Sequence, residues 1–312
     1  MGKTFIPEEF IEKYSRILGQ ESGEFFESCC RKIPKSIWVN SLKTSPKNLV
    51  GALEAKGWNL KGLFHENAFA LEGTDRPGQS EEFRKGFFNL QEKASMIPAL
   101  ILNPLPEDLV LDACAAPGNK TLQLSCLMQG GGKIVAVDKN VKRFGSLCFN
   151  IRKFGTKNAI AKRMDLIDAW KKNLFDKILL DAPCSSEGLV RKDFDALRNW
   201  SQGLVMGKAE LQKKLILKCF GLLKNGGTMV YSTCSLSPEE DEEVVQHLLE
   251  STAHSAKGGA EVLGIRVGGF RFREGLTEYN GGKFDESLRL CARVLPQDND
   301  SEAFFIAKIR KK

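Results

Sequence analysis

Between residues 109 and 249, short apolar runs alternate with stretches of helical period. No other feature of the 312-residue chain constrains its fold as strongly. Runs at 109–113, 133–137, 159–163, 175–180 and 228–233 have the length and composition of strands. Segments 122–128, 141–154, 204–223 and 239–249 repeat apolar residues at helical spacing. Repeated strand–helix units predict a mostly parallel sheet with helices on both faces. Two further strands, at 287–295 and 303–309, are expected to close it as an antiparallel hairpin. Ser237 and Pro238 are expected as N-cap and first residue of the 239–249 helix.

Residues 1–85 read as a separate, small α+β lobe and 86–312 as the large domain. In the lobe, Phe10, Ile11, Tyr14, Ile17 and Leu18 recur at helical spacing within 1–30. A strand over 36–42, a helix over 49–56 stopped by Gly57, and a short strand at 69–71 follow. The large domain opens with an apolar-faced helix over 91–102, ended by Asn103-Pro104.

Composition, 42% hydrophobic and 27% charged, suits a globular protein and gives no reason to invoke disorder. No apolar run approaches the ~18 residues of a membrane helix. The first ten residues lack a signal-peptide pattern, so a cytoplasmic location is expected. The net charge of +7 is compatible with a polyanionic partner. Each basic cluster taken alone also reads as a solvated helix face. Nine cysteines without a C-x-x-C pair, and three scattered histidines, predict neither a zinc site nor a disulfide framework. A monomer is expected.

The chemistry is concentrated at strand ends, where open α/β sheets bind their ligands. In KILLDAPCSSEGLVRK (177–192), an apolar strand breaks off at Asp181, Pro183 forbids further pairing, and Cys184 follows. The run 226–235 has the same shape and ends in Cys234. After the first strand, the small residues of ACAAPGNKT (113–121) let backbone approach a ligand and aim a helix N-terminus at it. This is neither a Walker loop nor G-x-G-x-x-G. Asp138, twenty residues after Gly118, ends the second strand where an acidic residue holds ribose hydroxyls. Asp165 follows the third strand, placed to accept from an adenine amino group. For either Asp alone the other reading is a helix N-cap. For either cysteine alone it is core packing.

The segments DACAAPGNKT, VDKN, DAPCSSEG and YSTCSLSPEEDEEVV resemble, in order, the motifs of the Nop/Sun family of RNA cytosine-5 methyltransferases. The likeness extends to SIWVNSLK, FFNLQEKASMIP and RVLPQDNDSEAFFIAKI, and is nearest to the archaeal tRNA-modifying branch. It implies a Rossmann-like fold, S-adenosyl-L-methionine as cofactor, and RNA, tRNA foremost, as substrate. Ribosomal RNA, or a scaffold role without catalysis, stands as the alternative. By the same resemblance Cys234 adds to carbon 6 of the cytosine, Cys184 assists release, and Asp181 pairs with the base. Cys114, Ala115, Ala116, Pro117, Gly118, Asn119 and Lys120 cradle the cofactor. Asp138 and Asp165 hold its ribose and adenine, Arg143 supports them, and Asp181 serves cofactor and base together. Arg191 and Lys192, just past the catalytic turn, are expected to touch RNA phosphates, and the N-terminal lobe to contact RNA. The chain departs from the family at Trp38 (usually Arg), Asn119 and Ser186 (usually Gly or another small residue), and Ser301–Ala303 (where Gly is commoner). At Trp38 this exchanges an RNA contact for stacking or loses it.

Overall fold

The computed structural model describes residues 6–168, 170, 172–193, 196–253 and 258–312. The expected helical segment 1–30 is two helices, α1 (Glu8–Leu18) and α2 (Ser22–Cys29), broken at Gly19; its residues 1–5 lie outside the described residues. The apolar faces of α1 and α2 do not join the small lobe. Phe10, Tyr14, Phe25 and Cys29 pack against Val190, Trp200, Leu236 and Leu295 of the large domain. The rings of Phe10 and Trp200 meet edge-on at 5.4 Å.

The lobe itself is built from β1 (Lys35–Val39), α3 (Pro46–Glu54), β2 (Asn59–Gly62), β3 (Ala68–Glu72), α4 (Glu81–Arg84) and β4 (Phe88–Leu90). Its four antiparallel strands lie in the order β2-β3-β1-β4. Ile37 of β1 pairs with Leu90 of β4, so the sheet closes five residues beyond the expected boundary at 85. Ser45 caps α3 through its hydroxyl, with Pro46 at the first helical position.

Helix α5 (Lys93–Leu102) is capped by the Glu92 carboxylate and stopped by Asn103 in the left-handed conformation. The large domain then runs β5 (Leu109–Ala113), α6 (Asn119–Leu127), β6 (Lys133–Asp138), α7 (Val141–Phe154), β7 (Ala159–Arg163), β8 (Phe175–Asp181), α8 (Gln202–Leu222), β9 (Leu223–Thr233) and α9 (Glu242–Thr252). It finishes with β10 (Ala260–Leu263), β11 (Arg273–Glu274), β12 (Glu278–Tyr279), β13 (Gly282–Lys283), β14 (Ala292–Val294), α10 (Pro296–Asn299) and β15 (Phe304–Lys311). The main sheet has the order β11-β14-β15-β9-β8-β5-β6-β7. Strands β9 to β7 are parallel, and β15 enters antiparallel beside β9.

Side chains alternate across this sheet as a strand's period of two requires. Leu111, Ile178, Leu180 and Tyr231 face Ile216 of α8 and Val244 of α9. Val110, Leu179, Val230 and Ile306 face Ile97 of α5 and Leu124 of α6. Both faces are therefore covered, which is why the parallel strands read as nearly continuous apolar runs. The strand order reverses between β5 and β8, opening a crevice at their carboxyl ends.

Two expected elements are shorter. Helix α9 begins at Glu242, not at 239, and Ser237 does not cap it. The Ser237 hydroxyl donates instead to Glu187, and residues 238–241 form turns. The hairpin strand expected at 287–295 survives only as Ala292–Val294, because Asp285 caps a 3-10 turn over Glu286–Leu290. No helix among the described residues is long and apolar enough to cross a membrane.

Candidate active site

Strands β8 and β9 run side by side with Asp181 opposite Ser232. The chain that leaves each strand therefore delivers its cysteine to the same place. The sulfurs of Cys184 and Cys234 lie 3.1 Å apart. Cys184 is buried, whereas Cys234 is half-buried.

The two loops are locked together by a carboxylate. Glu187 receives the Ser235 and Ser237 hydroxyls at 2.9 Å, the Leu236 N–H at 3.1 Å, the Trp200 indole at 2.5 Å, and the Tyr14 hydroxyl. It joins the first loop, on which it sits, to the second and to α1. Next to it the Gly188 N–H donates to the Cys234 carbonyl at 2.9 Å. A Cβ on Gly188 would stand 2.7 Å from that oxygen and 2.6 Å from the Ala303 carbonyl, so only glycine lets the loops approach this closely. Ser186 takes the left-handed conformation (φ 63°) that the family's glycine adopts without cost. Glu240 holds Ser185 through its N–H at 2.8 Å and its hydroxyl at 2.5 Å. Glu187→Gln, which weakens the shared acceptor, is expected to lower unfolding free energy by about 3 kcal/mol, read as a shift in the urea midpoint at constant slope.

Contact with the Cys234 sulfur, then burial, then the charges of Cys234 and Glu240 hold the Cys184 thiol well above the usual range. The shift favours the thiol form of Cys184, whose sulfur lies within hydrogen-bond reach of Cys234. Cys114, at the end of β5, is pushed up to about 12, chiefly by burial, and remains a thiol. Asp181 sits between two donors: Lys120 Nζ at 2.7 Å and the Ser232 hydroxyl at 2.9 Å. Lys120 also donates to the Ser95 hydroxyl at 3.0 Å, and its charge lies 5.4 Å from the centre of the Phe304 ring. Beneath them Asp112 accepts from Thr121 at 2.6 Å, and burial pushes its carboxyl up to about 7.

A cavity of about 230 Å³ opens at the switch point, lined by Cys114, Asp138, Arg143 and Asp165. Four of the residues expected to touch the cofactor thus converge there. Asn140, not Asp138, caps α7; Asp138 Oδ1 accepts the Asn140 N–H, and its buried Oδ2 receives no aligned hydrogen bond, although Arg143 Nη2 is 3.2 Å away. That spare acceptor fits a nucleoside ribose. Arg143 is tied to the Ala116 carbonyl at 2.8 Å, bracing the loop 114–118. Asp165 caps its turn through the Ile167 N–H while facing the cavity. Ala115, Ala116, Pro117, Gly118 and Asn119 form the bend behind it, with a cis bond before Pro117 and Gly118 at φ 106° packed onto Leu147. Lys120 points away from the cavity, to Asp181. Sequence reasoning missed the apolar wall: Val137, Met164, Leu166, Pro183, and Leu211 and Leu215 of α8. The spacing of the two leucines marks a helix but not what it covers.

Two expectations are corrected. Arg191 does not face RNA: it is 2% exposed, donating to the carbonyls of Arg31, Lys32 and Ser301 and pairing with Asp300. It ties α2 to the loop before β15. Lys192, its neighbour, is exposed. Trp38 offers RNA no stacking face either, because it is fully buried and stacked on His65 at 4.8 Å.

A doubly wound sheet closed by an antiparallel strand, with this crevice at its switch point, defines the Rossmann-like methyltransferase class. Within that class the chain belongs to the family described as 16S rRNA methyltransferase RsmB/F, which matches residues 99–310. Residues 6–93 match the N-terminal domain of 16S rRNA methyltransferase RsmF. The ribosomal RNA small subunit methyltransferase F of Vibrio parahaemolyticus is 39% identical over 99% of this chain, which spans 64% of that relative's length. The tRNA (cytosine(49)-C(5))-methyltransferase of Pyrococcus abyssi is 38% identical over 98% of this chain and 96% of its own. A crystal structure of a methyltransferase homolog protein from Pyrococcus horikoshii superposes with a TM-score of 0.85 at 31% identity, covering 99% of this chain and 97% of that one.

Proposed function

We propose that this chain transfers a methyl group from S-adenosylmethionine to carbon 5 of a cytosine in RNA, with tRNA as the first candidate substrate. The observation that carries the reading is the pair of sulfurs 3.1 Å apart, beyond the strand that ends in Asp181 and the strand beside it. The Pyrococcus abyssi relative, aligned over nearly its whole length, supports tRNA. The two family matches and the Vibrio relative support small-subunit rRNA as a second reading. A scaffold without catalysis would have no need of the two thiols held together by Glu187 and Gly188.

The cofactor supplies an electrophilic methyl group. Carbon 5 of cytosine is a weak nucleophile until addition at carbon 6 turns the ring into an enamine. In this reading Cys234, the more exposed sulfur, makes that bond. Charge develops at ring nitrogen 3, where hydrogen bonding from the Asp181–Lys120 pair stabilises it. Cys184 starts as a thiol, held so by contact with the Cys234 sulfur and by burial. Once the Cys234 sulfur is bonded to carbon 6, it no longer raises Cys184, which then gives its proton to solvent. Cys184 then takes the proton from carbon 5. The electrons left behind restore the ring double bond, and Cys234 departs as thiolate. The base must leave its stack to reach both sulfurs.

Bisulfite sequencing of tRNA and 16S rRNA from cells with and without the gene tests the assignment. Loss of one protected cytosine in tRNA is the expected result, and loss in 16S rRNA alone selects the second reading. An unchanged cytosine pattern in both contradicts the proposal.

A further inference from the structure

A larger cavity, about 440 Å³, lies where the N-terminal lobe meets the large domain, and it shares no lining residue with the cofactor crevice. Ile33, Pro34, Pro77 and Leu90 form apolar walls. Gln91, Glu92 and Glu302 add polar side chains. Lys35, Arg76 and Lys192 also line it, against one exposed carboxylate, Asp75. The size falls in the range of about 300–1,000 Å³ usual for small-ligand sites.

This cavity adjoins the catalytic groups. The Glu92 carboxylate accepts the Ser95 N–H at 3.4 Å, and the Ser95 hydroxyl accepts from Lys120, which holds Asp181. Glu302 precedes Phe304, whose ring lies under the Lys120 charge. A strand of RNA that places one base at Asp181 therefore has this cavity beside it.

We propose that the cavity receives the base of a nucleotide neighbouring the target cytosine in the same RNA strand, with Arg76 and Lys192 on the flanking phosphates. The inference rests on the RNA reading above. Single-stranded RNA is recognised by splaying bases against apolar or aromatic surfaces and bonding their edges. Three carboxylates face three cations here, but burial pushes Glu92 up to about 8 and raises Glu302, so the cations prevail and favour a polyanion over a protein segment. The base edge is also indicated. Oε1 of Gln91, of Glu92 and of Glu302 is buried without a hydrogen-bond partner. A base that offers a donor on its edge, an amino group or the N3–H of uracil, supplies what these acceptors lack.

The test uses single-stranded 12-nucleotide RNAs with one cytosine, the nucleotide on either side being intact or abasic. Affinity is read by fluorescence anisotropy. Removing the base on one side is expected to weaken wild-type binding at least tenfold. Ile33→Trp, which fills the cavity, should weaken binding of the intact RNA similarly and make it indifferent to the abasic site. Unchanged S-adenosylmethionine affinity of the variant shows that its fold is intact. If it is not, the exposed pair Arg76→Ala/Lys192→Ala carries the test, with the logarithmic salt slope falling by about 1.4. Wild-type indifference to both abasic positions, or an Ile33→Trp variant as sensitive as wild type, overturns the proposal. Methyl transfer to the same RNAs separates the two readings: transfer that ignores the cavity defeats this inference alone, whereas cavity-dependent binding with no transfer to cytosine defeats the methyltransferase assignment alone.

Discussion

Cys234→Ala is expected to abolish methyl transfer, lowering kcat by at least about 10⁴-fold, the scale on which loss of a covalent nucleophile is felt. The size of the effect follows from the chemistry of the ring. Without addition at carbon 6, carbon 5 has no electron density to offer, and neither Asp181 nor the cofactor crevice can substitute for the missing bond. The side chain is half-buried and its Sγ touches only Cys184 among its hydrogen-bond partners. The variant should therefore fold and bind S-adenosylmethionine with wild-type affinity, measurable by calorimetry. Single-turnover assays with labelled cofactor read the loss directly. A variant that retains turnover would move the methyl group to another atom of the substrate.

The second large effect is a product that accumulates. Cys184→Ala removes the group that takes the proton from carbon 5 and leaves addition by Cys234 intact. Release is then expected to slow by about 10²–10⁴-fold, the usual contribution of a positioned base. Protein and methylated RNA remain joined, and the complex appears on denaturing gels as a band shifted by the mass of the RNA. Removing Cys184 also removes the thiol beside Cys234, so the first bond forms more slowly than in the wild type, but the adduct persists. Normal turnover with no shifted band would assign proton removal to another group.

The meeting of the two cysteines was legible because strand ends are written locally. An apolar run, a stop at Asp181 or Thr233, and a cysteine within three residues need no long-range knowledge to be placed at a sheet edge. Parallel pairing of β8 and β9 then brings the two cysteines together. Asp138 and Asp165 were legible for the same reason. What the chain does not announce is partnership at a distance. Arg191 reads like any basic residue after a turn, and only the folded protein shows its guanidinium closed over carbonyls from residues 31, 32 and 301. Glu187 reads as a loop glutamate, yet it is the acceptor on which both catalytic loops and Tyr14 converge. Helices α1 and α2 precede the lobe in sequence and pack on the large domain, because amphipathic spacing gives a helix its apolar face without naming the surface that covers it. Leu211 and Leu215 illustrate the same gap within α8. The Ser237-Pro238 signal for a helix start was overridden because the Ser237 hydroxyl serves Glu187.

The central claim is that two thiols act on one pyrimidine with divided roles, and the most direct measurement is where the covalent bond forms. The adduct trapped with Cys184→Ala should be digested with nuclease and trypsin and mapped by mass spectrometry. A peptide carrying a methylated cytidine on Cys234 is the predicted result, with no adduct in the Cys184→Ala/Cys234→Ala double variant. A nucleotide attached to any residue other than Cys234, or a shifted band that survives in the double variant, would contradict the account.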